Sequence, residues 1–219
     1  MRKLVVLLIL IVGLSQVCFS QEKEESVYKV VDSLFREDQF YVSISYNLVQ
    51  NRPNGFKQFS FSPGITTGFL RDFPISKDRK WAIAPGVGYS YNNIKQFVNS
   101  DDIFGDGTNE SIRTRIITHG VDFPLELRWR NATPTNHKFW RIYAGFKATY
   151  VFDATLKFES DSGNEKGKIL EDVNRWQYGV YLSFGFNTWN PYVYYGLNPI
   201  FKDGSEMRNF NLGFMFYIL

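Results

Sequence analysis

Five charged residues in the middle of the chain are the strongest candidates for chemistry, because they recur on one face of two segments with strand-like alternation. They are Asp122, Glu126, Arg128, Arg141 and Lys147. Alternate residues of a strand point to the same side, so these side chains should share one surface. Such a surface would either line a pore or form a salt-bridged interior. Buried charges need partners, and this set contains both signs, which favours the salt-bridged interior.

The residues that usually carry catalysis are scarce. The chain has two histidines, His119 and His137, and it lacks the Gly-x-Ser-x-Gly nucleophile motif. His119 with Ser111 would resemble the outer-rim pair of a lipid-modifying barrel enzyme, although little geometry supports that pair. The acidic segment 101–110 misses the EF-hand pattern because Phe104 stands where calcium needs an oxygen ligand. The sequence therefore predicts no enzyme, no cofactor, no metal site and no small-molecule substrate.

Residues 1–20 have the pattern of an export signal. Two basic residues precede the apolar run Leu4 to Leu14, which is well short of the roughly 20 residues of a membrane-spanning helix. Cleavage is expected after Ser20 and would also remove Cys18, the chain's one cysteine. The mature protein would then have no disulfide, so strand pairing or a core must stabilise it. The formal net charge of +3 gives no argument for nucleic-acid binding.

From residue 38 to residue 219 the apolar side chains recur with a period of two, in eight segments. Phe40, Val42 and Ile44 alternate with polar residues in the first segment, and Phe214 and Phe216 continue the pattern in the last. The opposite face is rich in Gly, Ser and Ala, which suits a narrow lumen and neither a soluble core nor a charged surface. Aromatic residues make up 18% of the chain, as expected for a barrel with aromatic girdles. The prediction is an all-β, eight-stranded, antiparallel, up-and-down transmembrane barrel.

The even number of strands predicts the topology. Both ends of an even-stranded barrel lie on one side, and bacterial barrels place them in the periplasm with the longer loops outside. The periplasmic connections would be Asp72 to Lys80, Asn131 to Lys138 and Thr188 to Pro191. The two longest external loops would be Asn92 to Arg115 and Asp153 to Arg175. The chain would thus comprise a signal peptide (1–20), a periplasmic segment (21–37) and an outer-membrane barrel (38–219).

The tryptophans agree with this topology. Interfacial belts are where an amphipathic indole settles. One tryptophan falls at an outer strand end and four fall at inner strand ends: Trp176 outside, and Trp81, Trp129, Trp140 and Trp189 inside.

The inner side offers a possible partner face. The segment 21–37 carries an apolar stripe at helical spacing, formed by Val27, Val31, Leu34 and Phe35, which is either a partner-docking face or a solvated spacer. Eight basic residues gather at the inner rim, opposed by Asp72 and Asp78: Arg71, Lys77, Arg79, Lys80, Arg128, Arg130, Lys138 and Arg141. This rim would dock an acidic partner or anchor the barrel at lipid headgroups.

Several segments resemble the PorT (SprT) proteins of Bacteroidota: DSLFREDQFY at 32–41, GFLRDFP at 68–74, FPLELRWR at 123–130, KFWRIY at 138–143 and YVYYGLNP at 192–199. The resemblance implies an outer-membrane barrel required for type IX secretion, and for gliding motility in species that glide. It implies other envelope proteins of the secretion system as partners, besides outer-membrane lipid, and it carries over no catalytic residue. Motifs such as Phe-Pro-Leu recur across Bacteroidota barrels, so a generic porin-like or adhesin-like barrel, or a lipid-modifying barrel enzyme, stays open as the alternative.

Overall fold

The computed structural model describes residues 38–52, 57–58, 61–99, 111–131, 139–160, 163–186, 188–202 and 204–218. The predicted signal peptide and the stripe of Val27, Val31, Leu34 and Phe35 lie outside these ranges. The acidic segment 101–110, His137 and Lys138 also lie outside them. Among the described residues, no helix is long and apolar enough to span a membrane.

The described chain forms one antiparallel sheet of ten strands. They are β1 (Gln39–Gln50), β2 (Pro63–Leu70), β3 (Phe73–Pro74), β4 (Trp81–Asn99), β5 (Ser111–Arg130), β6 (Trp140–Ser160), β7 (Gly163–Lys168), β8 (Trp176–Phe186), β9 (Asn190–Gly196) and β10 (Arg208–Ile218). Eight of these form the wall, in which β1 pairs with both β10 and β2, and β2 pairs with β4. The sheet therefore closes on itself, which confirms the predicted eight-stranded antiparallel barrel.

Strict alternation positions the side chains of the wall. On β8, Val180, Leu182 and Phe184 are exposed on the outside, while Tyr181 and Ser183 are buried inside. The same rule holds on β5, where Leu125 and Leu127 point outward. Because a strand's side chains alternate, one apolar residue in two supplies an entirely apolar outer wall.

Glycines make room for tyrosines inside the barrel. A Cβ on Gly145 would lie 2.3 Å from the Tyr181 ring, and one on Gly179 would lie 2.3 Å from the Tyr194 ring. These close approaches need a residue without a side chain. Tyr181 and Tyr194 belong to a buried interior cluster of aromatic and apolar residues that also contains Tyr143. Small residues on one strand thus accommodate large ones from the neighbouring strand.

The structure corrects the extent of the two longest predicted loops. Strand β4 continues to Asn99 and β5 begins at Ser111, so much of Asn92 to Arg115 is strand. Strand β6 likewise runs to Ser160, and β7 folds back beside it within the predicted loop Asp153 to Arg175. A register shift between His119 and Gly120 places a bulge at Phe152 of the partner strand. Odd-numbered residues of β6 face inward before the bulge and even-numbered residues face inward after it. Because the period of two is interrupted there, the sequence does not predict that β6 continues.

The connections define two ends of the barrel. The turn end carries the short connections 71–80, 131–139 and 187–189, together with the start of β1 and the end of β10. The loop end carries the other connections and the extensions of β4, β5 and β6 with β7, here called the projecting sheet.

Candidate functional site: the barrel interior and its two ends

The turn half of the lumen is filled by a buried ionic network centred on Asp72. Arg130 donates to both carboxylate oxygens of Asp72, from Nη1 to Oδ1 at 3.1 Å and from Nη2 to Oδ2 at 2.9 Å. Arg128 Nη1 donates to the same Oδ1 at 3.1 Å. The side chains of all three residues are 0% exposed. Two guanidinium groups of β5 therefore converge on one carboxylate that follows β2.

The network continues across the lumen through Glu126. Arg128 Nε donates to Glu126 Oε2 at 2.8 Å. The hydroxyl groups of Tyr181 and Tyr217 donate to the other oxygen of Glu126, at 2.8 Å and 3.2 Å. Since Tyr181 lies on β8 and Tyr217 on β10, the network ties β5 to the opposite wall. Charge-assisted hydrogen bonds of this kind are stronger than neutral ones.

Arg141 is also buried in this half, but its guanidinium faces aromatic rings. Its Cζ lies 4.7 Å from the centre of the Phe139 ring and 5.6 Å from that of Tyr217. Arg128 stacks similarly on Tyr143, at 4.9 Å. Aromatic faces attract cations, so these rings stabilise the arginines in addition to the carboxylates.

A second ion pair lies nearer the loop end. Lys147 Nζ is 3.1 Å from Asp122 Oδ2, and it lies 4.6 Å from the centre of the Tyr194 ring. Asp122 Oδ1 accepts hydrogen bonds from the hydroxyls of Ser90, at 2.9 Å, and Thr149, at 2.7 Å. Lys147 and Thr149 also line a small polar cavity toward the loop end, whose wall includes Gln177 and Asn209. The structure therefore divides the five charged residues of the sequence prediction between two separate clusters.

An apolar plug lies across the loop end. Val49 of β1, Ile94 of β4 and Ile116 of β5 pack against Ile200 and Met207 of the β9–β10 connection, and all five are buried. These residues come from opposite sides of the barrel, so the cluster crosses its mouth.

Hydrogen bonds fix the connections that complete the plug. Asn174 donates from its side chain to the carbonyl groups of Pro199 and Phe201, at 3.0 Å and 2.9 Å. Val173 forms a β-bridge with Phe201. The β7–β8 and β9–β10 connections are therefore held together over the lumen.

The structure corrects the predicted basic rim at the turn end. Arg128, Arg130 and Arg141 are buried. Asp72 is buried as well, and it accepts hydrogen bonds from Arg128 and Arg130. Because buried charges require compensation, these residues are not available to an acidic partner.

The cations that remain at the surface of the turn end are fewer. Lys77 and Arg71 are exposed, while Arg79 and Lys80 are half-buried. Lys80 pairs with Asp78 at 3.6 Å, and Arg71 pairs with Asp38 at 3.4 Å. Lys77, Arg79 and Lys80 share the β3–β4 turn.

The tryptophans lie on the outside of the barrel. Trp81, Trp140 and Trp189 are exposed at the turn end, and Trp129, which lies opposite Trp81, is half-buried there. Trp176 is exposed near the loop end of β8 and stacks on Tyr178 at 6.5 Å. Both ends of the apolar wall therefore carry exposed indole rings.

His119 does not form a catalytic pair with Ser111. The two residues lie eight positions apart on the continuous strand β5, a separation of about 27 Å. His119 Nδ1 is instead 2.6 Å from the hydroxyl of Tyr89, in a group of rings near the loop end that includes the half-buried Tyr91 and the exposed Phe152. Among the described residues, no group of three or more His, Cys, Asp or Glu residues is placed to hold a metal ion.

Sequence reasoning missed the residues that join the ionic network. Asp72 was assigned to a turn and Arg130 to the rim, although Arg130 shares the inward parity of Glu126 and Arg128. Tyr181 and Tyr217 were not singled out, although the alternation along their strands places both side chains inside the barrel. The alternation of inward and outward side chains alone would have identified Arg130, Tyr181 and Tyr217. Asp72 lies beyond the end of β2, where no alternation applies.

Comparisons with known proteins identify the family of the chain. A family model described as "Outer membrane protein beta-barrel domain" matches residues 19–202. The crystal structure of Ail, the attachment invasion locus protein of Yersinia pestis, is similar at 17% identity and a TM-score of 0.42, covering 82% of this chain and 97% of that chain. The crystal structure of Ail in complex with the heparin analogue sucrose octasulfate is similar at 15% identity and a TM-score of 0.43, covering 83% and 99%. No curated protein matches. The family match covers most of the sequence, and the chain therefore belongs to the outer membrane protein β-barrel domain family.

Proposed function

We propose that this protein is a small, non-enzymatic outer-membrane barrel that works through contacts at its ends and does not pass solute. The observation that carries the proposal is the double obstruction of the lumen. The network around Asp72 and Glu126 fills the turn half, and the plug containing Ile94 and Ile200 crosses the loop end. An eight-stranded barrel has an interior just wide enough for side chains, so little space remains for a water path.

Planar-bilayer recording tests this proposal. The purified protein is expected to give no large, steady single-channel current. A matched variant in which Ile200 and Met207 are replaced by serine should loosen the plug while leaving the Asp72 network in place, so it too should conduct poorly. Large, steady currents from the unaltered protein would favour the porin-like alternative and refute the closed barrel.

We propose that the turn end faces the periplasm and the loop end faces outward, because bacterial barrels combine short periplasmic turns with longer external loops. Labelling of single cysteines in intact cells tests this orientation. Gly167 is a suitable external position because a Cβ there meets no atom within 4 Å. Gly167→Cys should react with a membrane-impermeant maleimide, whereas Lys77→Cys should react only after lysis, with Cys18 changed to serine in both. The opposite pattern would reverse the orientation.

We further propose a role as an accessory component of type IX secretion, acting through protein contacts on the periplasmic side. Support comes from the segments that resemble PorT proteins, including 68–74 and 123–130. The contact surface would combine the stripe of Val27, Val31, Leu34 and Phe35 with the turn cations Lys77, Arg79 and Lys80. The buried arginines Arg128, Arg130 and Arg141 are excluded from it.

Deletion of the gene, scored for export of secreted cargo, tests this role. Val31→Asp with Leu34→Asp, or charge reversal of Lys77, Arg79 and Lys80, should impair export while the barrel still inserts. Removal of residues 160–167 is the matched control on the other side and should have little effect. If the control abolishes export while the inner variants secrete normally, the contact surface lies outside and an adhesin-type or other external role replaces this one.

A further inference from the structure

Four basic residues form one continuous row across the projecting sheet. Lys95 of β4 lies opposite Arg115 of β5, Arg115 lies opposite Lys157 of β6, and Lys157 lies opposite Lys166 of β7. Directly opposed residues of antiparallel strands have their side chains on the same face. Their chain neighbours Ile94 and Ile116 are buried in the plug, so the row faces outward. Here it is called the cation row.

Among the residues that the structure describes, few carboxylates compensate the cation row. Arg115 pairs with Glu159 at 2.8 Å, but none of the described carboxylates forms an ion pair with Lys95, Lys157 or Lys166. Like charges directly opposite each other destabilise a sheet, and this row contains three such neighbouring pairs. Lys168 lies on the same face and pairs with Asp153 at 3.5 Å. The described residues of this face thus carry a net positive charge that an external anion would neutralise.

The position of the row indicates which anion it meets. Tyr91 and His119 are half-buried and belong to the outward ring cluster with the exposed Tyr89 and Phe152 near the loop end, where aromatic residues mark the boundary of the hydrocarbon layer. Lys95 and Arg115 lie four residues further along the same two strands, about 10 Å above that boundary once the usual strand tilt is included. Lysine side chains extend toward the polar layer of a membrane. The outward row therefore stands directly above the lipid-facing wall, at the level of headgroups.

We infer that the cation row binds the phosphate groups of an anionic lipid in the outer leaflet of the membrane. The inference uses the orientation proposed above, in which the loop end is external, but it does not depend on a role in secretion. Four cations on four neighbouring strands, Lys95, Arg115, Lys157 and Lys166, would each contact phosphates in the headgroup layer. Each cation near an anionic surface contributes to such binding, and salt weakens the contribution.

Lipid retention by the purified full-length protein tests the inference. The protein is placed in phosphatidylcholine nanodiscs that contain either bis-phosphorylated lipid A or the same lipid after removal of its phosphates, and bound lipid A is counted by native mass spectrometry. The test variant is Lys95→Gln/Lys157→Gln/Lys166→Gln. The matched control is Arg52→Gln/Lys57→Gln/Arg175→Gln, which removes the same charge from exposed positions of the loop end outside the row.

The unaltered protein and the control should retain phosphorylated lipid A about tenfold better than the dephosphorylated lipid, and the row variant should lose that preference. Equal retention of the two lipids by the unaltered protein would overturn the inference. An equal loss in the control would also overturn it, because total charge rather than the row would then be responsible. A third overturning result is binding of soluble heparin through the row without any preference between the lipids, which would assign the row to a soluble polyanion. Since no measurement involves cargo export, failure here leaves the secretion proposal untouched.

Discussion

Replacing Asp72 by asparagine tests the buried network at the residue on which two guanidinium groups converge. The change keeps the size of the side chain but removes its charge, and it turns an amide NH₂ group toward Arg128 or Arg130. Asp72 accepts three charge-assisted hydrogen bonds, at 3.1, 3.1 and 2.9 Å, from groups that are fully buried. Removing one partner of a buried ion pair costs about 3–5 kcal/mol, because the remaining charge stays buried without compensation.

The assay is urea-dependent unfolding of the protein refolded in lipid vesicles. Asp72→Asn should lower the free energy of unfolding by about 3–5 kcal/mol. Asp78→Asn is the matched control, since Asp78 is exposed and its pair with Lys80 at 3.6 Å is a surface pair, for which a much smaller loss is expected. A double change, Asp72→Asn with Arg130→Gln, should recover part of the loss.

If Asp72→Asn destabilises the barrel no more than Asp78→Asn does, water compensates the two arginines. The turn half of the lumen would then be hydrated, and the argument for a closed barrel would lose its main support.

Three further predictions concern the wall, the packing and the turn end. Arginine at the outward mid-strand positions Leu125 and Leu182 should cost about 2–4 kcal/mol in lipid refolding, whereas it should cost less at Ile83, two residues from the interfacial Trp81, and Gly167→Arg on the projecting sheet should be nearly neutral. Gly179→Ala should destabilise the barrel by about 1–3 kcal/mol in the same assay, because its Cβ would meet the Tyr194 ring, and Tyr194→Leu should relieve part of that loss. The hydrogen bond from Ser76 lowers the pKa of Asp78 in the folded protein. The stability that this hydrogen bond adds is therefore present above the pKa of Asp78 in the unfolded chain, and it is lost as the pH falls through the pKa of Asp78 in the folded protein. In Ser76→Ala the pKa of Asp78 should rise toward its ordinary value when measured by NMR titration.

The outward face of the wall was predictable because one rule governs it. Val180, Leu182 and Phe184 must alternate with inward residues in any closed barrel, so the period of two was sufficient to assign them. The same rule brought Glu126 and Arg128 inside. The rule also gives Arg130 the inward direction, although the sequence alone counts Arg130 with the cations of the rim.

Two features could not be predicted from the period of two in the sequence. Asp72 lies between β2 and β3, where no period applies, and it reaches Arg128 and Arg130 across β4, which pairs with both β3 and β5. The bulge at Phe152 reverses the parity of β6, so the residues beyond it resemble a loop to any reading that assumes one uninterrupted period. Both failures come from contacts and register that depend on the partner strand and not on local sequence.

The two sets of charges in this barrel differ in a way that bears on function. Inside, Asp72, Glu126 and Asp122 meet cations at 2.8–3.1 Å, and these contacts satisfy the requirement that desolvated charges be paired. Such charges stabilise the closed state and are not accessible to a partner. On the projecting sheet the cation row repels itself and stabilises no described contact except that of Arg115 with Glu159. A row of like charges on an open surface costs stability, so folding alone does not explain it. For this reason we infer that the outward face of the projecting sheet binds an anionic ligand.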